Sequence, residues 1–319
     1  MTKKNSQKLV SIVIRTRNEE RWIVSCLKNV LRQSYKNFEI ILVDNMSNDN
    51  TLKIIKEYPV RIYKIKKFFP GKALNIGIAK SKGDIIVCLS GHCIPKNENW
   101  LKKLISNLKN DKVGAVYGRQ EPLPFTSNND KRDLINTFRL ERIIQKKDPF
   151  FHNANSAFNK SLWKKFKFNE TVTNIEDRIW GLQLIKNKYQ IIYEPNASVY
   201  HWHGINHDGN KKRLNNIIKI LENNNDFFNY SKSEKVKKRK IVAIIPIKGD
   251  SVYFKNNNLL DETIKSLKKI KLIKKIFVAS DSSNNKIIAK RNGVHFIKRP
   301  GILSEKHIGI IEVARFVLG

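Results

Sequence analysis

The sequence predicts an α/β protein: a mostly parallel sheet flanked by helices, followed by a second, partial α/β unit. Three observations point there. Up to Gly118, apolar runs of strand length alternate with longer segments of helical period, the pattern of a parallel sheet with crossover helices. The stretch 223–240, with its Asn run and KSEKVKKRK, holds almost nothing apolar and reads as a linker. After it the same alternation starts again. The predicted organisation is therefore a domain at 1–222, a linker at 223–240 and a unit at 241–319.

Taken in order, residues 10–16 read as the first strand. A helix over 19–33 carries Trp22, Ile23, Cys26, Leu27 and Val30 on one face. Strand 38–43 is followed by a helix at 49–58, started by a Ser/Asn/Asp cluster. Strand 60–65, a helix at 71–80, strand 85–89, a helix at 97–108 and strand 113–117 complete the alternating part. Beyond Gly118 the pattern loosens. The predicted elements are a polar loop at 120–130, helices at 132–145 and 175–186, and short strands at 190–193 and 198–200. Leu214, Ile217, Ile218 and Leu221 set an apolar stripe on a last helix. In the second unit the expected order is strand 241–247, helix 259–267, strand 275–279, helix 287–291 and strand 294–297.

Composition narrows the class. With 40% apolar residues over 319 positions the chain can bury a sizeable core. Its longest apolar run, 241–247, is far short of the roughly 18 to 20 residues that span a bilayer. The N-terminal MTKKNSQKLVSIVIR has too short an apolar run for a signal peptide and reads as a tail before the first strand. Three cysteines (Cys26, Cys88, Cys93) suit neither a disulfide framework nor a structural zinc site, so a reducing cytoplasm is the expected compartment. The formal charge of +34 admits two readings. One is an anionic partner; the other is coding bias, since Lys, Asn and Ile are abundant together. The lysines are scattered, and no zinc finger, aromatic RNP-like motif or Arg-rich arm is present, so no specific nucleic-acid binding is expected. Peripheral contact with acidic lipid at the inner face of the membrane is compatible with either reading.

In an open parallel sheet, ligands bind beyond the carboxyl ends of the strands. Three polar clusters fall there: Arg15-Thr16-Arg17-Asn18-Glu19-Glu20, Asp44-Asn45-Met46-Ser47-Asn48-Asp49 and Ser90-Gly91-His92-Cys93. Asp44 can accept from a base or ribose, and helix N-termini after Thr16 and Ser47 offer free N–H groups. Helix capping explains any one cluster alone; all three together favour a ligand.

SIVIRTRNEE, EIILVDNMSNDNT, PGKALNIGIAKSKGDIIVCLSGHC and NIEDRIWG occur in that order over 9–222, and the combination resembles family-2 glycosyltransferases of the GT-A fold. The resemblance implies a Rossmann-type GT-A sheet and an inverting transfer from a nucleotide-sugar donor to a glycan or lipid-linked acceptor in surface polysaccharide or glycan biosynthesis. It maps nucleotide binding to Thr16, Asn18, Glu19 and Asp44, and its Ala-Asn-x-Gly element to Ala73, Asn75 and Gly77. The family places a metal-binding Asp-x-Asp after the fourth strand, where this chain has Ser90, Gly91 and His92. Serine can still bond a ribose hydroxyl, while histidine suits Mn²⁺ better than Mg²⁺ or can donate to phosphate directly. A divalent metal, Mn²⁺ or Mg²⁺, is the implied cofactor.

On the acceptor side the resemblance makes Asp177 the base and Glu176 its support; an acidic pair that simply favours a helix N-terminus is the alternative. The run His152-Asn153-Ala154-Asn155-Ser156 resembles the segment lining the donor sugar, which brings in Asn155. Arg119, at the end of the fifth strand, can place a guanidinium near the substrate. In YHWHGINHD, His203 is the metal or diphosphate candidate beside His92, with a structural histidine as the other reading. Finally, IVAIIPIKGDSVYFKNNNLLDETIKSL and IFVASDSS resemble the opening half of CMP-sugar synthetases, which are cytidylyltransferases. That likeness implies nucleotide binding by Lys248, Ser251, Lys255 and Asn256, with the later half of such an enzyme absent. A cytidylyltransferase activity, or a basic scaffold for anionic polymer or membrane, are the rival functions.

Overall fold

The computed structural model describes residues 7–223, 241–304 and 309–318. The predicted linker, Asn223 apart, lies outside the described residues. The chain divides into two compact units, 1–230 and 231–319.

The first unit opens with β1 (Val10–Thr16), α1 (Ile23–Leu31), β2 (Phe38–Asp44), α2 (Thr51–Ile55) and β3 (Val60–Lys64). It continues with α3 (Pro70–Ala79), β4 (Ile85–Ser90), β5 (Cys93–Pro95), α4 (Trp100–Ser106) and β6 (Val113–Pro122). Then come α5 (Asn128–Thr137), β7 (Ile143–Gln145), β8 (Asn155–Asn159), α6 (Lys160–Lys165), α7 (Glu176–Lys186), β9 (Gln190–His201) and α8 (Lys211–Glu222). The strand order is β3-β2-β1-β4-β8-β6-β9-β5, with β7 also on β9. β1 pairs in parallel with β2 and β4, while β8 runs antiparallel between β4 and β6. The sheet is mixed but mostly parallel.

The central strands form because both faces are covered. Ile12 and Ile14 of β1 pack into one core with Ile23 and Leu27 of α1. Val13 points the other way, into a second core with Leu74 of α3 and Trp180 of α7. The approach of α3 requires Gly77, where a Cβ would stand 2.5 Å from Val13 Cγ1.

Three local expectations change. The helix expected at 132–145 starts earlier, at Asn128, because Ser127 caps it by accepting from the Asp130 N–H. It ends at Thr137, and Ile143–Gln145 pairs with β9 instead. The strands expected at 190–193 and 198–200 are one strand. A register shift sets Gly118 opposite Glu194 but Gln120 opposite Val199, so β9 carries three more residues than β6 across this stretch, in a bulge that includes Pro195. β5 and β8 had no counterpart among the expected elements.

The second unit carries β10 (Ile241–Ile247), β11 (Tyr253–Phe254), β12 (Asn257–Asn258), α9 (Leu259–Lys268), β13 (Ile273–Ser280), α10 (Ser283–Arg291), β14 (His295–Lys298) and α11 (Ile310–Leu318). β10, β13 and β14 form a parallel three-stranded sheet over a small core of Leu260, Ile264, Val278 and Ala289.

Candidate active site

A cavity of about 510 Å³ lies at the carboxyl ends of β1 and β4, walled also by the start of α7, the end of β9 and one face of α8. Thr16, Glu19, Ser90, His92, Glu176, Asp177 and His203 line it, so seven of the sequence-derived residues meet in one place.

Asp44 and Asn18 do not line the cavity. Asp44 is fully buried; its Oδ1 accepts from Thr16 Oγ1 (3.1 Å) and Ser47 Oγ (2.5 Å), and its Oδ2 from the Ser47 N–H (2.9 Å). Asn18 links the same two loops: its N–H donates to Ser47 Oγ at 2.9 Å and its Oδ1 accepts from the Asn48 N–H at 3.0 Å. Both loops turn through left-handed residues, Asn18 at φ 55° and Met46 at φ 50°.

Three further candidates brace the framework. Asn75 Oδ1 accepts from Trp163 Nε1 (2.8 Å) and the Phe168 N–H (3.2 Å), while its Nδ2 donates to Phe168 O and Glu170 Oε1. Asn155 Oδ1 accepts from Trp100 Nε1 at 2.9 Å, and its Nδ2 bonds the carbonyls of Arg119 and Ala197. Arg119 approaches Glu121 at 3.8 Å. None of the three lines the cavity.

The acidic pair sits on a strained turn. Ile175, which caps α7, is left-handed at φ 57°, a conformation that costs a β-branched residue on the order of 1–3 kcal/mol and recurs at functional sites. The next residue, Glu176, is buried and paired with Arg15 Nη1 at 3.0 Å. Burial, and then the charge of Asp177, push Glu176 above the usual carboxylate range. Asp177 Oδ1 accepts from the Arg178 N–H (2.9 Å) and Oδ2 from the Asn153 N–H (3.1 Å), so backbone donors fix its orientation.

Facing the same cavity, His92, His201 and His203 cluster so that one nitrogen from each lies within 4.8 Å of the others. His92 Nδ1 stands 2.6 Å from Glu19 Oε1, and its ring stacks on His201 at 5.0 Å. Burial, then neighbouring imidazoles, pull His201 far down and His203 to about 2, so both are neutral imidazoles. His201 is fully buried, yet neither of its ring nitrogens has a hydrogen-bond partner. A buried polar group without a partner asks for a ligand. Neutral imidazoles suit a first-row transition ion and match poorly the all-oxygen preference of Mg²⁺. The residues present therefore fit a divalent metal.

In the second unit, Ser251 donates its N–H to Asn285 Oδ1 at 3.1 Å and exchanges hydrogen bonds with Asn258. Lys248 is exposed, and Lys255 and Asn256 are exposed with left-handed backbones at φ 46° and 64°.

Sequence reasoning missed Arg15 and Arg213 as site residues, and of the i, i+2 pair His201 and His203 in YHWHGINHD it chose only His203. Arg15 was legible as a basic residue at the end of a central strand. Arg213 Nη1 donates to Asn174 Oδ1 at 2.6 Å, while its buried Nε has no partner. Inside KKR it carried no distinguishing signal.

Over 208 residues the chain is 35% identical to a dolichyl N-acetyl-alpha-D-glucosaminyl phosphate 3-beta-D-2,3-diacetamido-2,3-dideoxy-beta-D-glucuronosyltransferase of Methanococcus voltae, covering 59% of this chain and 64% of that protein. It is 27% identical over 185 residues to an O-antigen chain rhamnosyltransferase of Salmonella anatum, covering 54% of this chain and 59% of the relative. The chain thus spans less than two thirds of the length of either. A mannosyltransferase from Pyrobaculum calidifontis in complex with GDP-Man and Mn²⁺ superposes with TM-score 0.51 at 20% identity, over 62% of this chain and 57% of that one, and shows the GT-A-like fold. No helix among the described residues is long and apolar enough to cross a membrane. Residues 11–166, within the first unit, match the model of glycosyl transferase family 2.

Proposed function

We propose that the cavity transfers a glycosyl group, with inversion, from a nucleotide-sugar donor to a hydroxyl of a glycan or lipid-linked acceptor in surface glycan biosynthesis. The observation that carries this is Asp177: a carboxylate held by two backbone N–H groups on the wall of a cavity that also collects Thr16, Glu19, Ser90 and His92. Asp177 takes the proton of the acceptor hydroxyl as that oxygen bonds the anomeric carbon. The bond from that carbon to the nucleoside diphosphate breaks, and the diphosphate leaves with the electron pair. Arg15 keeps Glu176 in place beside the base, and Arg17 and Arg178 add positive charge to the wall. A divalent metal held by His92 and His203 would neutralise the diphosphate. The imidazole set supports Mn²⁺ over Mg²⁺. The excess of 62 basic over 28 acidic side chains is consistent with a cytoplasmic enzyme that meets its acceptor at the membrane face.

Turnover of a nucleotide-sugar panel by Asp177→Asn, beside Glu176→Gln, tests the assignment. The expected loss for Asp177→Asn is about 10²–10⁴-fold in kcat, the usual worth of a general base, with a smaller loss for Glu176→Gln. Unchanged turnover in Asp177→Asn removes the role given to it.

A further inference from the structure

Helix α8 is amphipathic in an unusual way for a helix on a folded domain. Leu214, Ile217, Ile218 and Leu221 recur at helical spacing, yet none of its residues is buried, and Ile218 is 50% exposed. Leu214, Ile217 and Ile218 instead form one wall of the cavity, with Phe68 also lining it. Exposed lysines edge this apolar lip: Lys211, Lys212 and Lys219 on the helix, and Lys66 and Lys67 beside Phe68. One turn in from the lip, Arg213 lines the same cavity with its buried Nε unpartnered. It is close enough to feel the charges of Glu176 and Asp177. A cation next to the catalytic carboxylates, an apolar wall beyond it and lysines outside match one kind of molecule: a phosphate ester of a long hydrocarbon, lying at an acidic lipid surface.

We propose that α8 is the subsite for a lipid-phosphate-linked acceptor: Arg213 pairs with the lipid phosphate, while Leu214, Ile217 and Ile218 cover the first stretch of its hydrocarbon chain. This rests on the glycosyltransferase reading of the cavity and narrows its acceptor. Arg213 Nε then gains an acceptor in ligand oxygen, and Ile218, 50% exposed among the described residues, gains an apolar cover.

The probe is farnesyl phosphate, titrated calorimetrically into the full chain, with inorganic phosphate and farnesol as the two half-molecules. Farnesyl phosphate should bind at least about tenfold more tightly than either. Ile218→Asp should weaken it by about tenfold or more, a substitution that the exposure of Ile218 lets the fold tolerate. Arg213→Gln should weaken it similarly, with Arg213→Lys recovering part of the affinity. Affinity no better than that of inorganic phosphate or farnesol, or indifference to Ile218→Asp, overturns the proposal. So does binding to phosphatidylcholine vesicles containing phosphatidylglycerol without any binding of farnesyl phosphate, since the face would then meet the membrane surface and not the acceptor. The transfer reading fails separately, by unchanged turnover in Asp177→Asn.

Discussion

Replacing His201 with phenylalanine should push stability in opposite directions with and without metal. In the metal-free chain His201 buries one N–H donor and one lone pair, neither of them hydrogen-bonded. At about 1–3 kcal/mol for each buried unsatisfied group, the two cost roughly 2–6 kcal/mol. Phenylalanine removes both but is bulkier, and overpacking returns about 1–3 kcal/mol of that. Taking the middle of each range, the net is a stabilisation of about 2 kcal/mol, or a rise of roughly 4–8 °C for a unit of this size. Metal reverses the order. An ion at about a hundred times its Kd adds about 2.7 kcal/mol to the wild type, roughly 5–10 °C, and much less to a variant lacking one ligand. Calorimetric melting of the chelator-treated chain, alone and with Mn²⁺, Co²⁺ or Mg²⁺, reads all of this. The expected pattern is a variant that melts higher without metal, a wild type that gains from Mn²⁺ and Co²⁺, and little response to Mg²⁺. A wild type indifferent to the transition ions, or a His201→Phe chain that melts lower when metal-free, would refute the reasoning.

Other consequences follow from single contacts. Arg15→Met leaves Glu176 buried without its cation and should cost about 3–5 kcal/mol in urea unfolding; Arg15→Met with Glu176→Gln should recover much of it. Gly118→Ala would set a Cβ 2.0 Å from the Ala197 carbonyl oxygen and 2.4 Å from Asn155 Nδ2, so β6 and β9 must part. The expected result is a fall in melting temperature larger than that of a typical surface substitution, about 1–3 kcal/mol or more. His152, partly buried, is pulled to about 3 by burial and then by the charge of Arg178. Its folded pKa lies below its unfolded one, so the stability it confers is complete above about pH 6.5 and lost as pH falls towards 3. Unfolding free energies from urea titrations should fall by about 2 kcal/mol between pH 7 and pH 5 from this residue, the slope steepening towards about 1.4 kcal/mol per pH unit below about pH 5.5, and His152→Gln should lack this component.

The sheet was legible because its central strands are apolar on both faces, as EIILVD and IIVCLS show, and because they alternate with segments of helical period. Short antiparallel strands escaped detection: CIP and NSAFN have no periodicity and exist only through their partners. The site divides in the same way. The acidic pair and the three rim clusters were legible as polar residues at strand and helix ends. Asn18, Asp44, Asn75 and Asn155 show the limit, since a short polar side chain that can hold a ribose can equally hold a neighbouring loop. In the structure all four bond protein groups.

The histidine cluster shows most clearly why part of the site is invisible in one dimension. At Ser90-Gly91-His92 the sequence alone displays a loss, one imidazole where a family-2 site would carry carboxylates. The imidazole that stacks on it comes from more than a hundred residues away, on β9. The pairing of Cys93 with His201 across β5 and β9 sets the two next to each other, and alternation along the strand end brings His203 to the same cavity. That register depends on the three-residue β5, which follows the turn after β4 and has no sequence signature of its own. A histidine cluster built across such a strand pair is specified by register, so the surroundings of His92 follow from the strand it introduces. The same reasoning constrains mutagenesis: a substitution that slips β5 by one residue would turn His201 away from His92 while leaving all three histidines in the chain.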